Sequence, residues 1–187
     1  MALPGILRVE ALVCGVFPET CVATPDGWRV AARLRPGQLV LTVGSGPLPL
    51  TAVEVQPPPL WVQDLPAGAC GNRRPLRLPP GQPVLVETDA AIPLRDDPLA
   101  LVPAEALNGW RGIGATPNVS APLLLQLGVP DLVYAGPGLI LAMPGPGGVP
   151  PDGVLPLAEA RALVARLLAW DLGAGLAQAT ARGVAGG

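Results

Sequence analysis

Residues 17–42 read FPETCVATPDGWRVAARLRPGQLVLT, a stretch in which strand-forming runs alternate with turns. The apolar run that begins at Cys21 meets the turn PDG at residues 25–27. In this turn proline presets φ, aspartate accepts local hydrogen bonds and glycine adopts a positive φ. The chain should return as a second strand, turn again at RPG (35–37) and continue as a third strand over residues 38–43. The stretch therefore predicts short strands joined by tight turns.

The same rhythm continues along most of the chain. Further strand-like runs bounded by turn residues lie at 50–56, 60–64, 84–87, 99–103, 123–127 and 132–135. The last two of these runs look like a hairpin around Gly128. Turn signals about every 8–12 residues are typical of an all-β barrel or sandwich. The sequence therefore predicts an all-β fold of short strands.

The C-terminal part of the sequence has a different pattern. Residues 144–155 have the Pro/Gly composition of a linker. Beyond them, apolar residues recur at helical spacing, which predicts one amphipathic helix over residues 156–172, ending near Gly173 and packed on the β core. The predicted organisation is a β domain over residues 1–143, the linker, the helix, and a flexible tail over residues 173–187.

Composition excludes several classes of function. The chain has 187 residues, of which half are apolar, 26 are proline and 24 are glycine. Because disordered chains lack apolar residues, this composition indicates a buried core interrupted by turns. All 12 basic residues are arginine and the formal net charge is −2, so the basic surface typical of nucleic-acid binding is absent. The most apolar stretch, residues 121–143, contains Asp131 and three prolines, so no membrane span is expected.

The N-terminus does not look like a secretion signal. Residues 1–15 lack early basic residues, and Arg8 and Glu10 interrupt the apolar run. The sequence therefore predicts a soluble protein that is cytoplasmic or exported without a classical signal peptide.

The absence of histidine limits the chemistry that this chain can perform. It excludes histidine-containing triads and histidine-ligated metal sites. The three cysteines, Cys14, Cys21 and Cys70, are odd in number and lack metal-ligand spacing. The sequence therefore indicates no metal site, no bound cofactor and no disulfide framework. Each thiol is predicted to be buried as a small hydrophobe.

Four further groups have both a functional and a structural interpretation. They are the polyproline run 57–59, a peptide ligand or a spacer; the pair Asp96 and Asp97, a metal or catalytic site or a solvated turn; the cluster Arg73, Arg74 and Arg77, a phosphate site or a wet surface; and Trp61 with Trp110, a stacking surface or core anchors.

Four phrases in this order resemble the bacterial Hint domains, the hedgehog/intein module. They are FPETCVATPDG at 17–27, LRPGQLVLT at 34–42, a segment that begins AGACGN at 67–72 and ends QPVL at 82–85, and LVPAEALNG at 101–109. The resemblance covers residues 14–143. It implies a compact, all-β, horseshoe-like Hint fold and the family's chemistry, which is self-cleavage.

The resemblance also implies which positions would form the reaction site. In the family a first-position cysteine attacks the carbonyl of the preceding residue to form a thioester, and a histidine helps to protonate the departing backbone nitrogen. Aligned on Thr20, the nucleophile position falls on Gly15, with Cys14 as its neighbour. The histidine position falls on Gln82, and the family's threonine three residues earlier on Pro79. Glutamine cannot carry a proton at neutral pH.

Three functions are therefore open. The first is a degenerate Hint domain that has lost self-cleavage and serves as a structural or interaction module with a protein or peptide partner. The second is an active self-cleaving domain that uses Cys14 with an unconventional proton donor. The third is a small-molecule or peptide binder in the cleft of the former site. If the alignment holds, a Gly15→Cys/Gln82→His double variant is predicted to regain thiol-dependent cleavage.

Overall fold

Twelve short strands and one long helix make up the molecule, in a computed structural model that describes residues 13–184 and the side chains of all of these except 94, 95 and 173–184. The strands are β1 Cys21–Thr24, β2 Gly27–Val30, β3 Leu39–Leu41, β4 Pro47–Val55, β5 Trp61–Leu65, β6 Leu76–Leu78, β7 Pro83–Glu87, β8 Leu99–Pro103, β9 Gly114–Pro117, β10 Leu123–Leu127, β11 Asp131–Ala135 and β12 Leu139–Met143. The helices are α1 Ile92–Arg95, a single turn, and α2 Leu157–Val184. The predicted all-β architecture with a C-terminal helix is confirmed.

The strands form three antiparallel sheets. A six-stranded sheet has the order β2-β1-β11-β12-β7-β8, and two three-stranded sheets have the orders β10-β4-β3 and β6-β5-β9. The first sheet joins the start of the described chain to its last strands, since Val22 of β1 pairs with Ala135 of β11. This pairing brings residues from distant parts of the sequence to one side of the core.

The β1–β2 hairpin forms where the sequence predicts it. Thr24 pairs with Gly27 across the turn, and the Thr24 hydroxyl donates to the Gly27 carbonyl oxygen at 2.7 Å. Gly27 has a φ of +108°, the positive value that the PDG turn requires.

The predicted hairpin between residues 123–127 and 132–135 is wrong. Leu125 of β10 pairs with Val53 of β4, whereas Val133 of β11 pairs with Leu141 of β12. Both β10 and β11 are partly buried strands that need a neighbour on the core side. Each finds a longer ladder elsewhere than the Gly128 turn offers. The turn at Gly128 therefore moves the chain between two sheets instead of closing a hairpin.

The helix α2 packs on the β core, as predicted. Four of its residues, Ala160, Leu163, Val164 and Leu167, are buried, at the helical spacing that the sequence shows. The Trp110 indole N–H and the Arg111 Nε both donate to Asp171 Oδ2, at 3.0 and 3.1 Å. The helix continues to Val184, so its predicted end near Gly173 and the predicted tail from that residue are not what the backbone shows.

Some sequence predictions concern residues that the structure does not describe. The signal-peptide assessment of residues 1–15 falls largely on residues 1–12, and the end of the predicted tail falls on 185–187. Within residues 13–184, no helix is long and apolar enough to cross a membrane.

Candidate functional site

The backbone at Gly15 meets the side chain of Gln82, which puts two of the predicted site residues in direct contact. The Gly15 N–H donates to Gln82 Oε1 at 2.8 Å. The Gln82 side chain is fully buried, and its Nε2 donates to the carbonyl oxygens of Ala142 at 2.8 Å and Pro83 at 3.1 Å. All the hydrogen-bonding capacity that this amide directs inward is therefore used.

Local turns position Gln82. The Gln82 N–H donates to the Pro79 carbonyl oxygen at 3.1 Å, which closes a turn just before β7. Within that turn the Gly81 N–H donates to the Val13 carbonyl oxygen at 3.0 Å. On the other side, the Ala104 N–H donates to the Gln82 carbonyl oxygen at 2.9 Å. The turn thus holds the chain before Gly15 and the end of β8 together. Pro79 contributes to this geometry through its carbonyl group.

Gly15 occupies a position that excludes a larger residue. Its φ is +125°, and an added Cβ would lie 2.5 Å from the Leu123 carbonyl oxygen. The close approach is fixed by the neighbouring residue, because Val16 and Leu123 exchange backbone hydrogen bonds at 2.9 and 2.8 Å. The Gly15→Cys half of the double variant predicted to regain cleavage would therefore strain the backbone and separate this bridge. That prediction is withdrawn on steric grounds.

Cys14 lies next to this contact but in a setting that suppresses its reactivity. Its Sγ donates to the Gly81 carbonyl oxygen at 3.1 Å. Burial raises the pKa of the Cys14 thiol to about 11. At neutral pH the group is therefore a thiol, whereas the thiolate is the form that attacks a carbonyl.

Thr20 lies away from the Gly15–Gln82 contact. It is buried, its N–H donates to the Phe17 carbonyl oxygen at 2.9 Å, and its own carbonyl oxygen accepts from Ala31 at 2.8 Å. It lines a separate cleft of about 550 Å³, whose rim carries an ion pair between Arg77 and Glu19 at 2.8 Å. Thr20 therefore shapes the turn before β1.

The other cysteines also have structural surroundings. Cys21 lies in β1 and Cys70 in the loop before β6, and no disulfide joins the cysteines of residues 13–184. Burial raises the pKa of Cys70 to about 11, although the charge of Arg111 acts in the opposite direction. Neither thiol is beside the Gly15–Gln82 contact.

The remaining sequence candidates divide between surface and core. Asp96 has a left-handed φ of 57° at the end of α1, and Asp97 accepts from the Leu99 N–H at 2.8 Å, so this pair forms an exposed turn. Trp110 is 3 % exposed and anchors the core, whereas Trp61 is 54 % exposed. Burial of Trp110 rules out a stacking surface shared by the two indoles.

Sequence reasoning missed two residues beside this site. Gln63 and Glu105 each have a buried side-chain oxygen, Oε1, without a hydrogen-bond partner, and both line a cleft of about 410 Å³. The signal that could have found Gln63 is a polar residue within the apolar strand run WVQDL at residues 61–65. Glu105 lies inside the phrase LVPAEALNG, where it was taken as part of a family pattern.

Comparison with known proteins identifies the fold. No protein-family model matches the chain, and no curated protein matches it. A bacterial intein-like domain from Clostridium thermocellum, solved in solution, superposes with a TM-score of 0.54 at 10% identity, covering 70% of this chain and 99% of that one. The DnaB1 intein splicing domain of Msm, crystallised with zinc, has a TM-score of 0.44 at 16% identity, and covers 69% of this chain and 99% of its own. The chain therefore has the fold of an intein-type, or Hint, domain, as its sequence phrases implied.

Proposed function

We propose that this chain is a Hint-type domain that has lost self-cleavage and serves as a structural or interaction module. The observation that carries the proposal is the contact between Gln82 Oε1 and the Gly15 N–H. If the alignment is right, that nitrogen is the one that would leave in the cleavage reaction. The residue that faces it is a buried amide that accepts a hydrogen bond from it and has no proton to deliver.

The chemistry of peptide cleavage explains why this substitution matters. A backbone nitrogen leaves poorly unless it is protonated as the C–N bond breaks, and a positioned general acid contributes about 10²–10⁴-fold to such a step. An amide side chain cannot act in that way at neutral pH, and no histidine elsewhere in the sequence can replace it.

The nucleophile is missing from the same geometry. Gly15 has no side chain, and the raised pKa of Cys14, about 11, leaves that thiol protonated at neutral pH. Burial therefore argues against the second hypothesis, in which Cys14 starts the reaction.

A reporter fusion tests the proposal. A protein fused ahead of Met1 should remain joined to the domain for days at neutral pH, with or without dithiothreitol, when the intact mass is followed. A Cys14→Ser variant is the matched control and should behave in the same way. Cleavage next to residue 14 in the unmodified fusion, abolished by Cys14→Ser, would overturn the proposal and establish an active domain.

A further inference from the structure

A cleft of about 410 Å³ opens beside the Gly15–Gln82 contact. It lies between β5, the short 3-10 helix Ala104–Leu107 and α2. Val13 and Pro80 form one end of it, and these are the residues that flank the contact between Cys14 and Gly81. The cleft is therefore continuous with the former reaction site, and it has the size of a small-ligand pocket.

The inner part of this cleft holds two hydrogen-bond acceptors that nothing in the described structure satisfies. Gln63 is 4 % exposed, and its Oε1 has no partner. Glu105 Oε1 is buried in the same way, although the Glu105 backbone N–H donates to Pro80 at 2.9 Å. Folding rarely leaves buried polar atoms unpaired, because each costs free energy that a hydrogen bond would recover. Two such atoms in one cleft indicate a ligand that brings donors.

The chemistry of these acceptors defines the donor. A carboxylate accepts hydrogen bonds and donates none, so the group opposite Glu105 Oε1 must be an N–H or O–H. A buried carboxylate is also stabilised far more by a cation than by a neutral donor. The amide of Gln63 can rotate to present its oxygen to the same group. A group with several N–H donors and a positive charge fits both residues.

The walls of the cleft suit an apolar stem that carries such a charge. Trp61 exposes about half of its surface here, and Leu60 and Pro59 lie beside it. The face of an indole attracts a cation, and the methylene groups of a long basic side chain pack against aliphatic and proline surfaces. The cleft thus combines an acceptor end with an apolar approach.

We propose that this cleft binds a guanidinium or alkylammonium group, with Glu105 and Gln63 accepting its N–H bonds and Trp61 covering its stem. The inference rests on the proposed function, because it supplies the partner chemistry for a domain that acts as an interaction module. The group comes from an arginine or lysine side chain of a peptide or from a small amine, and both present the same donors.

Arg161 sets a further expectation for this site. It lies on the exposed side of α2 and lines the same cleft, so its positive charge opposes that of the ligand. Removing that charge should tighten binding of a cation, whereas an acidic ligand would lose affinity.

A titration followed by two-dimensional ¹H–¹⁵N NMR tests the proposal on the full chain. N-acetyl-arginine methylamide should shift the Trp61 indole and Gln63 side-chain amide signals. N-acetyl-citrulline methylamide, which is uncharged but nearly identical in shape, should leave them in place. Methylguanidinium separates the two sources: equal affinity indicates a small amine, and tighter binding of the arginine derivative indicates a peptide. Equal shifts with the arginine and citrulline derivatives, or none with either, would overturn the proposal.

Variants locate the site. Glu105→Gln keeps the shape of the side chain and should weaken binding of the arginine derivative by about tenfold or more. Glu159→Gln, which removes an exposed carboxylate on α2 outside the cleft, should leave affinity unchanged. Arg161→Ala should tighten binding, and it decides the matter even if Glu105→Gln folds poorly. Unchanged affinity in Glu105→Gln, or weaker binding in Arg161→Ala, would contradict the assignment. The intact mass of each sample is measured in parallel, so that loss of binding is distinguished from self-cleavage.

Discussion

Gln82 satisfies a hydrogen-bonding requirement that few side chains can meet. One acceptor has to face the Gly15 N–H, and donors have to face the carbonyl oxygens of Ala142 and Pro83. A primary amide offers all of these from one planar group, whereas a neutral imidazole has one donor and one acceptor. At this position a histidine would serve chemistry, and a glutamine serves cohesion between three segments of the chain.

Replacing Gln82 with leucine should destabilise the domain markedly. The substitution leaves the Gly15 N–H and the Ala142 carbonyl oxygen buried without partners, at about 1–3 kcal/mol for each unsatisfied group. Thermal unfolding should therefore begin at a clearly lower temperature than in the native chain. Gln56→Leu, at a partly exposed position after β4, is the control and should change the melting temperature little. An equal melting temperature for the two variants would show that the amide contributes nothing.

The reactivity of Cys14 should follow its raised pKa. Because the thiolate is the reactive form and burial raises the pKa to about 11, maleimide labelling at pH 7–8 should be slow. The rate should increase about tenfold for each pH unit toward that value, and denaturant should abolish the difference from a model thiol. Cys14 is read separately by mass spectrometry of the peptides. Fast native labelling at pH 7 would contradict the burial argument and revive Cys14 as a nucleophile.

Individual strands were easier to predict than their partners. The β1–β2 hairpin follows from three turn residues, whose conformational preferences act locally. The pairing of β10 with β4 depends on which distant strand offers a buried neighbour, and sequence spacing holds no information about that choice. The same limit applies to the site. The resemblance placed Gln82 at the right position, but its bonds to Ala142 and Gly15 depend on how the sheets close.

Asp131, at the start of β11, ties this strand to the turn after β3. Its carboxylate accepts from the Thr42 hydroxyl at 2.9 Å and from the Gly44 N–H at 3.1 Å. Burial alone would raise the pKa of Asp131, but hydrogen bonds from Ser45, Leu132, Thr42 and Gly44 together hold it below its usual value. The turn and the strand are thus joined through one charged group.

An Asp131→Asn variant should lose stability in a pH-dependent way. Because the folded-state pKa lies below the unfolded value of about 3.9, the carboxylate stabilises the native state fully above that pH. Its contribution disappears as the pH falls through the folded-state pKa. The variant should therefore be less stable by about 1.5–3 kcal/mol at pH 6, with the gap closing below pH about 4. Urea unfolding at several pH values measures this, with Asp26→Asn in the exposed β1–β2 turn as control. A gap that is independent of pH would exclude the charge as its cause.

At the scale of the whole molecule, three small sheets share one core and a single helix covers it. The helix α2 has 28 residues out of 187, and α1 has four. The sequence located this helix because its apolar period is sustained. Its end was misplaced because glycine at position 173 weakens a helix without ending it. The three-sheet arrangement has no comparable local signature and had to come from the family resemblance.

Far-ultraviolet circular dichroism should reflect this balance. The spectrum should be dominated by strand, with a helical component below one third that belongs mainly to α2. Truncation after residue 156 should remove most of that component. The truncated chain should also melt at a lower temperature, since Leu163 and Val164 no longer cover the core. A helical fraction above one third in the full chain would contradict the fold.

The pairing of β1 with β11 has a consequence for how the protein is made. A ribosome delivers β1 early, but its partner strand and β12 emerge only when most of the polypeptide has been synthesised. Until then the hairpin of β1 and β2 has an unpaired edge and its apolar side chains face water. Contacts between distant parts of a sequence slow folding and lengthen the time during which nascent chains associate wrongly. Expression at reduced temperature, or with a chaperone that shields unpaired strands, should therefore raise the soluble yield.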